Sequence, residues 1–263
     1  MSDYALALSE AELERYRSMA ESARRSESRQ WAMIGIAPGA TVADVGCGPG
    51  AVSMLVADMV GPAGRVWAVD QDAQAVATAE QLAAGLGLTN VRCRIGQADA
   101  TGLPAAGADV AMMRHVLAHN GGREQAIVDH LATLVRPGGF VYLVDVESEG
   151  VRVRPADPDV VELGDRYRAF QTGRGNDLSV GLRLGELVAA ADLELVDFGG
   201  WYDISRRPGF RPPSWAARQM MVDAGYATAD DLARWATAFE RADAAGGLTY
   251  FVPFLWAIGR RAG

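Results

Sequence analysis

From Val42 onward, short β-branched runs alternate with longer stretches in which apolar residues recur every three or four positions. The runs are Val42 to Val45, Val66 to Val69, Val91 to Ile95, Val110 to Met113 and Phe140 to Val146. Between them, Val52, Leu55, Val56, Met59 and Val60 make one helical stripe, and Ile127, Leu131, Leu134 and Val135 make another. Turns rich in Gly and Pro, such as Gly61-Pro62-Ala63-Gly64 and Arg136-Pro137-Gly138-Gly139, punctuate the joins. Strands alternating with helices predict βαβ crossovers, and hence an α/β fold with a mostly parallel, doubly wound sheet.

The flanks read differently. Ser9-Glu10-Ala11-Glu12 has the form of a capping box, and Leu13, Tyr16 and Ala20 follow at helical spacing, so one or two helices should precede the turn at Ala37-Pro38-Gly39-Ala40. After Glu147 the alternation loosens. Val160, Leu163, Gly164 and Tyr167 suggest an inserted helix; a helix near Arg183 to Ala191 and a strand near Leu193 to Tyr202 resume the core. Trp215 to Ala224 and Asp230 to Ala244 form a helical pair, the second opened by the box Thr228-Ala229-Asp230-Asp231, and Thr249 to Ile258 is a final strand. The expected organisation is one domain: a helical cap (1–36), a Rossmann-like core (37–147), and the rest of the sheet carrying an inserted helical lid (148–263).

Composition narrows the class. The 263 residues are 49% hydrophobic and 22% charged, enough to bury a core. All 25 basic residues are Arg, against 33 acidic ones, for a net charge of -8. That acidity argues against nucleic acid as a partner, because a phosphate backbone needs a basic face. The first residues lack the charged-then-apolar pattern of a secretory signal, and no apolar run approaches the ~18 residues of a membrane span. Two cysteines without metal-type spacing fit a reducing compartment, so a cytoplasmic location without membrane insertion is expected.

Candidate chemistry begins at Asp44-Val45-Gly46-Cys47-Gly48-Pro49-Gly50, which ends a strand and opens a helix. Glycines there let the backbone turn sharply and a ligand approach without Cβ clashes. Gly46-x-Gly48-x-x-Ala51 formally satisfies a dinucleotide fingerprint. Three carboxylates bear on that reading. Asp70 ends the second strand, where a carboxylate accepts hydrogen bonds from ribose hydroxyls; Asp99 follows the third, within reach of an adenine amino group. Asp44 stands where a carboxylate can face an ammonium and a sulfonium. A cationic, phosphate-free nucleoside suits this acidic ring better than a dinucleotide does.

With Val69-Asp70, Gly96-Gln97-Ala98-Asp99-Ala100-Thr101-Gly102-Leu103-Pro104 and Leu134-Val135-Arg136-Pro137-Gly138-Gly139 added to the glycine loop, the chain resembles the class I S-adenosylmethionine (SAM)-dependent methyltransferases. It is most similar to the small-molecule group of menaquinone, ubiquinone and natural-product enzymes. The resemblance covers residues 40 to 147. It implies a seven-stranded sheet whose last strand runs antiparallel, with SAM as cofactor and S-adenosylhomocysteine as product. It further implies that the methionyl part lies over Gly46, Cys47, Gly48 and Gly50, with Asp44 and Arg114 near it. The ribose would lie on Asp70 and the adenine near Gln71, Asp99 and Ala100.

Methyl transfer from a sulfonium is an in-line displacement, so holding the reactants in line supplies much of the rate. A base matters only when the acceptor must lose a proton. Met113-Arg114-His115-Val116-Leu117-Ala118-His119-Asn120 follows the fourth strand, at the strand end where open α/β sheets bind ligands. His119 matches a His that serves as general base in some relatives by resemblance, and caps or packs a helix in others. His115 is equally a cofactor wall or a catalytic group, Asp145 a candidate assistant, and His130 structural. No His, Cys or carboxylate cluster has metal spacing.

Fourteen of the 20 Phe, Trp and Tyr residues lie after residue 147. Tyr167, Phe170, Trp201, Tyr202, Phe210 and Trp215 are candidates for an apolar acceptor pocket, while Trp235, Phe239, Phe254 and Trp256 are expected to pack the lid and sheet. The leading expectation is methylation of an O, N or C atom of a small, largely apolar acceptor, as in secondary or quinone metabolism. A SAM-binding protein that instead catalyses a cyclisation or rearrangement would share the same core motifs. The helical additions also offer surface for a homodimer.

Overall fold

The computed structural model describes residues 10–206 and 208–263. In chain order the elements are α1 (Glu10–Met33), β1 (Thr41–Val45), α2 (Ala51–Val60), β2 (Arg65–Asp70), α3 (Ala73–Gly85), β3 (Val91–Ile95) and β4 (Ala108–Arg114). They continue with α4 (Glu124–Leu134), β5 (Val135–Val146), β6 (Arg152–Arg154), α5 (Pro158–Gly173), α6 (Leu184–Ala190) and β7 (Glu194–Arg206). The chain closes with α7 (Pro213–Ala216), α8 (Arg218–Asp223), α9 (Ala229–Ala244) and β8 (Thr249–Arg260).

Strand order is β3-β2-β1-β4-β5-β8-β6, with β7 on the other edge of β8. The pairs among β1 to β5 are parallel, while β8 is antiparallel to β5, β6 and β7. The expected doubly wound sheet with an antiparallel last strand is therefore present, with one strand more than the seven anticipated. The addition is β6, whose three residues pair with the first residues of β8 and bury only Val153. A single inward residue is too little for a periodicity signal.

Apolar side chains sort the helices onto two faces. Trp31, Ile34 and Ile36 pack with Val56, Val60, Ala79, Met112, Tyr142, Val144 and Ile258 on the face covered by α1, α2 and α3. Ile127, Leu131, Leu184 and Val188 pack with Ala43, Met113, Leu143 and Ala257 on the opposite face, under α4 and α6. Residues of β4, β5 and β8 alternate between the two clusters, as the pleat requires. The order reverses between β1 and β4, so the crevice beyond their carboxyl ends is the topological switch point.

The helices after β6 have their own core, in which Trp235 and Phe239 of α9 are buried against Leu163 and Phe170 of α5 and Met221 of α8. The capping box at Thr228 is formed, with Asp231 N–H donating to Thr228 Oγ1 at 3.2 Å and Thr228 N–H donating to Asp231 Oδ2 at 2.9 Å. Arg234 ties α9 to α5 through Asp159 and Glu162. The single helix expected over Trp215 to Ala224 is split into α7 and α8 at Ala217. Ser9, the expected cap of α1, lies outside the described residues. Among the described residues no helix is long and apolar enough to cross a membrane.

Candidate active site

The loop from β1 to α2 needs glycine for two separate reasons. Gly46 has φ +77°, and a Cβ there would stand 2.3 Å from Val116 Cγ2. Gly50 has φ +81° and caps α2, and a Cβ there would stand 2.8 Å from Ala79 Cβ. Left-handed backbone and steric closeness coincide, so side chains are excluded on both counts. Gly46 and Cys47 N–H donate to Val69 O at 2.8 and 3.0 Å, fastening the loop to the end of β2. Burial pushes the Cys47 thiol up, so its sulfur stays protonated against the core.

Asp70 accepts Gly48 N–H at 2.8 Å on Oδ2 and Asp72 N–H at 3.0 Å on Oδ1. Each carboxylate oxygen has two lone pairs, so both retain capacity for a ligand hydroxyl. Burial nonetheless raises its pKa, because desolvation outweighs these two donors. Gln71 is exposed at the mouth, and Asp72 caps α3 by accepting Gln74 N–H. Asp99 is half-buried and holds Arg123 in a two-pronged pair, 2.6 Å from Nη2 to Oδ1 and 3.2 Å from Nε to Oδ2. That pair lowers its pKa. Beside it, Ala100 is exposed and its N–H donates to Gln97 O. Thr101 donates its N–H to His130 Nε2 at 3.1 Å, so His130 braces this loop from α4 as a neutral imidazole.

Asp44 is buried, and Ser53 Oγ of α2 donates to its Oδ2 at 2.6 Å. Removal from water drives its pKa up to about 6. Arg114, at the end of β4, lies on the same face of the sheet, where it meets Glu27 of α1. Nε and Nη2 of Arg114 donate to the two Glu27 oxygens at 3.1 and 2.7 Å, and Tyr142 Oη donates to the same carboxylate at 2.8 Å. Glu27 has no exposed surface.

His115 follows with φ +58°, unusual for a residue with a Cβ, and its N–H donates to Val144 O. Its ring meets Phe254 edge-on at 4.9 Å, Phe254 stacks on Trp201, and Trp201 on Trp256. Burial and the neighbouring Arg114 hold His115 neutral. His119 ends the 3-10 turn Leu117–His119, and burial depresses its pKa as well. Asp145 accepts N–H from Ala118 at 3.2 Å and from Val146 at 2.8 Å, so it fixes the backbone of that turn; burial raises its pKa to about 6. The segment after α5 meets the site here too, because Gly121 N–H donates to Asn176 Oδ1.

Residues 42–139 match a family described as a methyltransferase domain. The arsenite methyltransferase of Halobacterium salinarum is 32% identical over 130 residues, 49% of this chain, and the match spans 32% of that protein's own length. The [4+2]-cyclase SpnF matches with a TM-score of 0.56 at 20% identity, over 92% of this chain and 82% of that one. Geranyl diphosphate C-methyltransferase from Streptomyces coelicolor A3(2), crystallised with S-adenosylhomocysteine, matches at a TM-score of 0.53 and 17% identity, over 94% and 84%.

Over residues 42–139 the chain is similar to a methyltransferase domain, and its sheet has the Rossmann-like methyltransferase topology. The residues of the crevice fit SAM, the cofactor that the sequence resemblance implies. Gly46 and Gly50 leave a cradle that a Cβ would fill. Asp44 is a buried carboxylate in need of a cation, and Asp70 keeps lone pairs for two hydroxyls. Among the described residues no group of His, Cys, Asp and Glu could hold a metal ion.

Several groups that complete this crevice escape sequence reasoning. Ser53, Glu27, Tyr142, Arg123 and His130 all complete the site through contacts 9 to 115 positions away. Glu27 stands among Arg24, Arg25, Ser26, Ser28 and Arg29, which reads as a solvated helix face. Phe254 packs against the sheet as expected and also touches His115, while the pocket candidates Phe170, Phe210 and Trp215 belong to the separate helical core and Tyr202 is exposed.

Proposed function

We propose that this chain transfers the methyl group of SAM to an O, N or C atom of a small, largely apolar acceptor. The observation that carries the proposal is the two-sided character of the crevice. The buried carboxylate of Asp44 and the half-buried one of Asp70 flank the glycine loop, and the row His115, Phe254, Trp201 begins immediately beyond it.

When bound, SAM supplies an electrophilic methyl on a sulfonium. Asp44 then stabilises cationic charge that its burial otherwise penalises. Asp70 orients the ribose through the lone pairs left by Gly48 and Asp72, while Ala100 N–H and Asp99 border the adenine from a loop held by Arg123 and His130. The aromatic row excludes water and takes a flat or apolar acceptor. His119 accepts the acceptor's proton where one must leave. Its lowered pKa keeps it unprotonated at neutral pH and makes it a modest base. Asp145 positions His119 through the backbone of the 3-10 turn.

An arsenic acceptor fits less well. Trivalent arsenic seeks thiolates, the chain has two cysteines, and burial holds both thiols protonated. Likeness to SpnF favours one second reading, a cyclisation in the same crevice with SAM retained. Product mass separates the two. Incubation with SAM and a panel of quinones, polyketide-like phenols and terpenoids should give a product one CH₂ heavier, with equimolar S-adenosylhomocysteine. A product of unchanged mass, with SAM intact, would establish the second reading.

A further inference from the structure

The Glu27–Arg114–Tyr142 cluster has no part in the methyl-transfer scheme above, yet it is the most completely buried ionic contact described. Arg114 uses Nε and Nη2 on Glu27, and Nη2 also lies 3.4 Å from His115 Nε2. Nη1 stands outside this clamp. The register sets where that remaining edge lies. Asp44 pairs with Met112 across β1 and β4, so Arg114 stands one side-chain repeat further on the same face, alongside Gly46. Val116 Cγ2, two residues on, comes within 2.3 Å of a Gly46 Cβ position. A guanidinium is thus fixed at the end of β4 that borders the glycine loop, near enough to Asp44 to act on its charge. The residue fixing it belongs to α1, an element outside the family match at 42–139.

Resting on the SAM reading above, we infer that Glu27 is a positioning residue for the cofactor: it holds Arg114 so that Nη1 meets the α-carboxylate of the methionyl group, while Asp44 faces the ammonium. The geometry suits a zwitterion, with one cation and one anion placed side by side on the sheet. Guanidinium is the group for this task because its planar fork can hold one carboxylate side-on and present a second edge to another. Without Glu27, the long Arg114 side chain would sample several rotamers and lose the orientation that Nη1 requires. Tyr142 supplies the third contact that holds the Glu27 carboxylate itself in place.

The test compares calorimetric affinities of wild type and E27Q for three probes: SAM, S-adenosylhomocysteine and 5′-methylthioadenosine. The last carries the nucleoside and sulfur but no amino-acid group. E27Q should weaken SAM and S-adenosylhomocysteine by about tenfold, the worth of one charge-assisted hydrogen bond partly lost, and leave methylthioadenosine unchanged. The double variant E27L/R114M replaces the pair with apolar groups of similar volume, which keeps α1 docked. It should lose SAM about a hundredfold and again spare methylthioadenosine. Equal weakening of all three probes would make Glu27 a structural residue only, and unchanged SAM affinity in the double variant would remove Arg114 from the cofactor site. Both results overturn the inference while the SAM reading stands. Failure of wild type to bind SAM would overturn both.

Discussion

Asp44 is predicted to trade stability for cofactor affinity, and Asp44→Asn should separate the two. Burial raises its pKa from 3.8 to about 6. For a group titrating higher when folded than when unfolded, the stability contribution is fully present below about pH 4. It is lost as pH rises through about 6. A rise of about two units corresponds to an upper figure of about 3 kcal/mol charged against the ligand-free protein at pH 8. Asn keeps an acceptor for Ser53 Oγ and cannot ionise, so Asp44→Asn should raise ligand-free stability at pH 8 by about 1–3 kcal/mol and leave it nearly unchanged at pH 4. SAM affinity should move the other way, falling about ten- to a hundredfold at pH 8 with loss of the carboxylate. In wild type, the affinity should fall by up to about tenfold per pH unit below about 6, as Asp44 takes up a proton. Urea unfolding at pH 4 and 8 and calorimetry from pH 5 to 8 measure both. A less stable Asp44→Asn at pH 8, or a pH dependence of binding equal in both proteins, would refute the reasoning. Asp145→Asn serves as the contrast. Asp145 also titrates near about 6, but both its oxygens accept backbone N–H groups, so an amide nitrogen there would face a donor and cancel the gain.

Asp70→Ala strands the Gly48 and Asp72 N–H groups and removes the ribose acceptor; SAM affinity should fall by about a hundredfold or more, measured by calorimetry, with stability down about 1–3 kcal/mol. His119→Ala should cut turnover by about 10² or more on an acceptor that must lose a proton, with SAM affinity unchanged; surviving turnover would show that alignment alone suffices. Gly46→Ala should cost about 1–2 kcal/mol for the left-handed backbone, with a further cost from Val116. Val116→Ala in the same chain should recover the second part only, and a double-mutant cycle in urea measures that recovery.

Much of the core was legible because its signals are local. Short β-branched runs marked β1 to β4 and β8 and the last part of β5, helical stripes marked α2 and α4, and the Thr228 box marked the start of α9; β5 begins at Val135, taking in the expected Arg136–Gly139 turn. The glycine loop was legible for the same reason, since left-handed φ at Gly46 and Gly50 is a property of those residues. What escaped reading depends on partners distant in the chain. Glu27 lies 87 positions from Arg114 and 115 from Tyr142, and nothing in its own neighbourhood distinguishes it from a solvated helix residue. His130 looked like an ordinary member of an amphipathic helix until α4 brought its Nε2 to Thr101. Phe254 packs against the sheet as expected, but its contact with His115 depends on its position along β8, which only the folded sheet sets. The sequence by itself determined the fold class, the glycine loop and the acidic residues around it, because turns, periods and backbone conformations are written in adjacent residues. The tertiary structure alone decided which charges pair in the buried crevice, since desolvation and hydrogen bonding act between groups that only the folded sheet brings together.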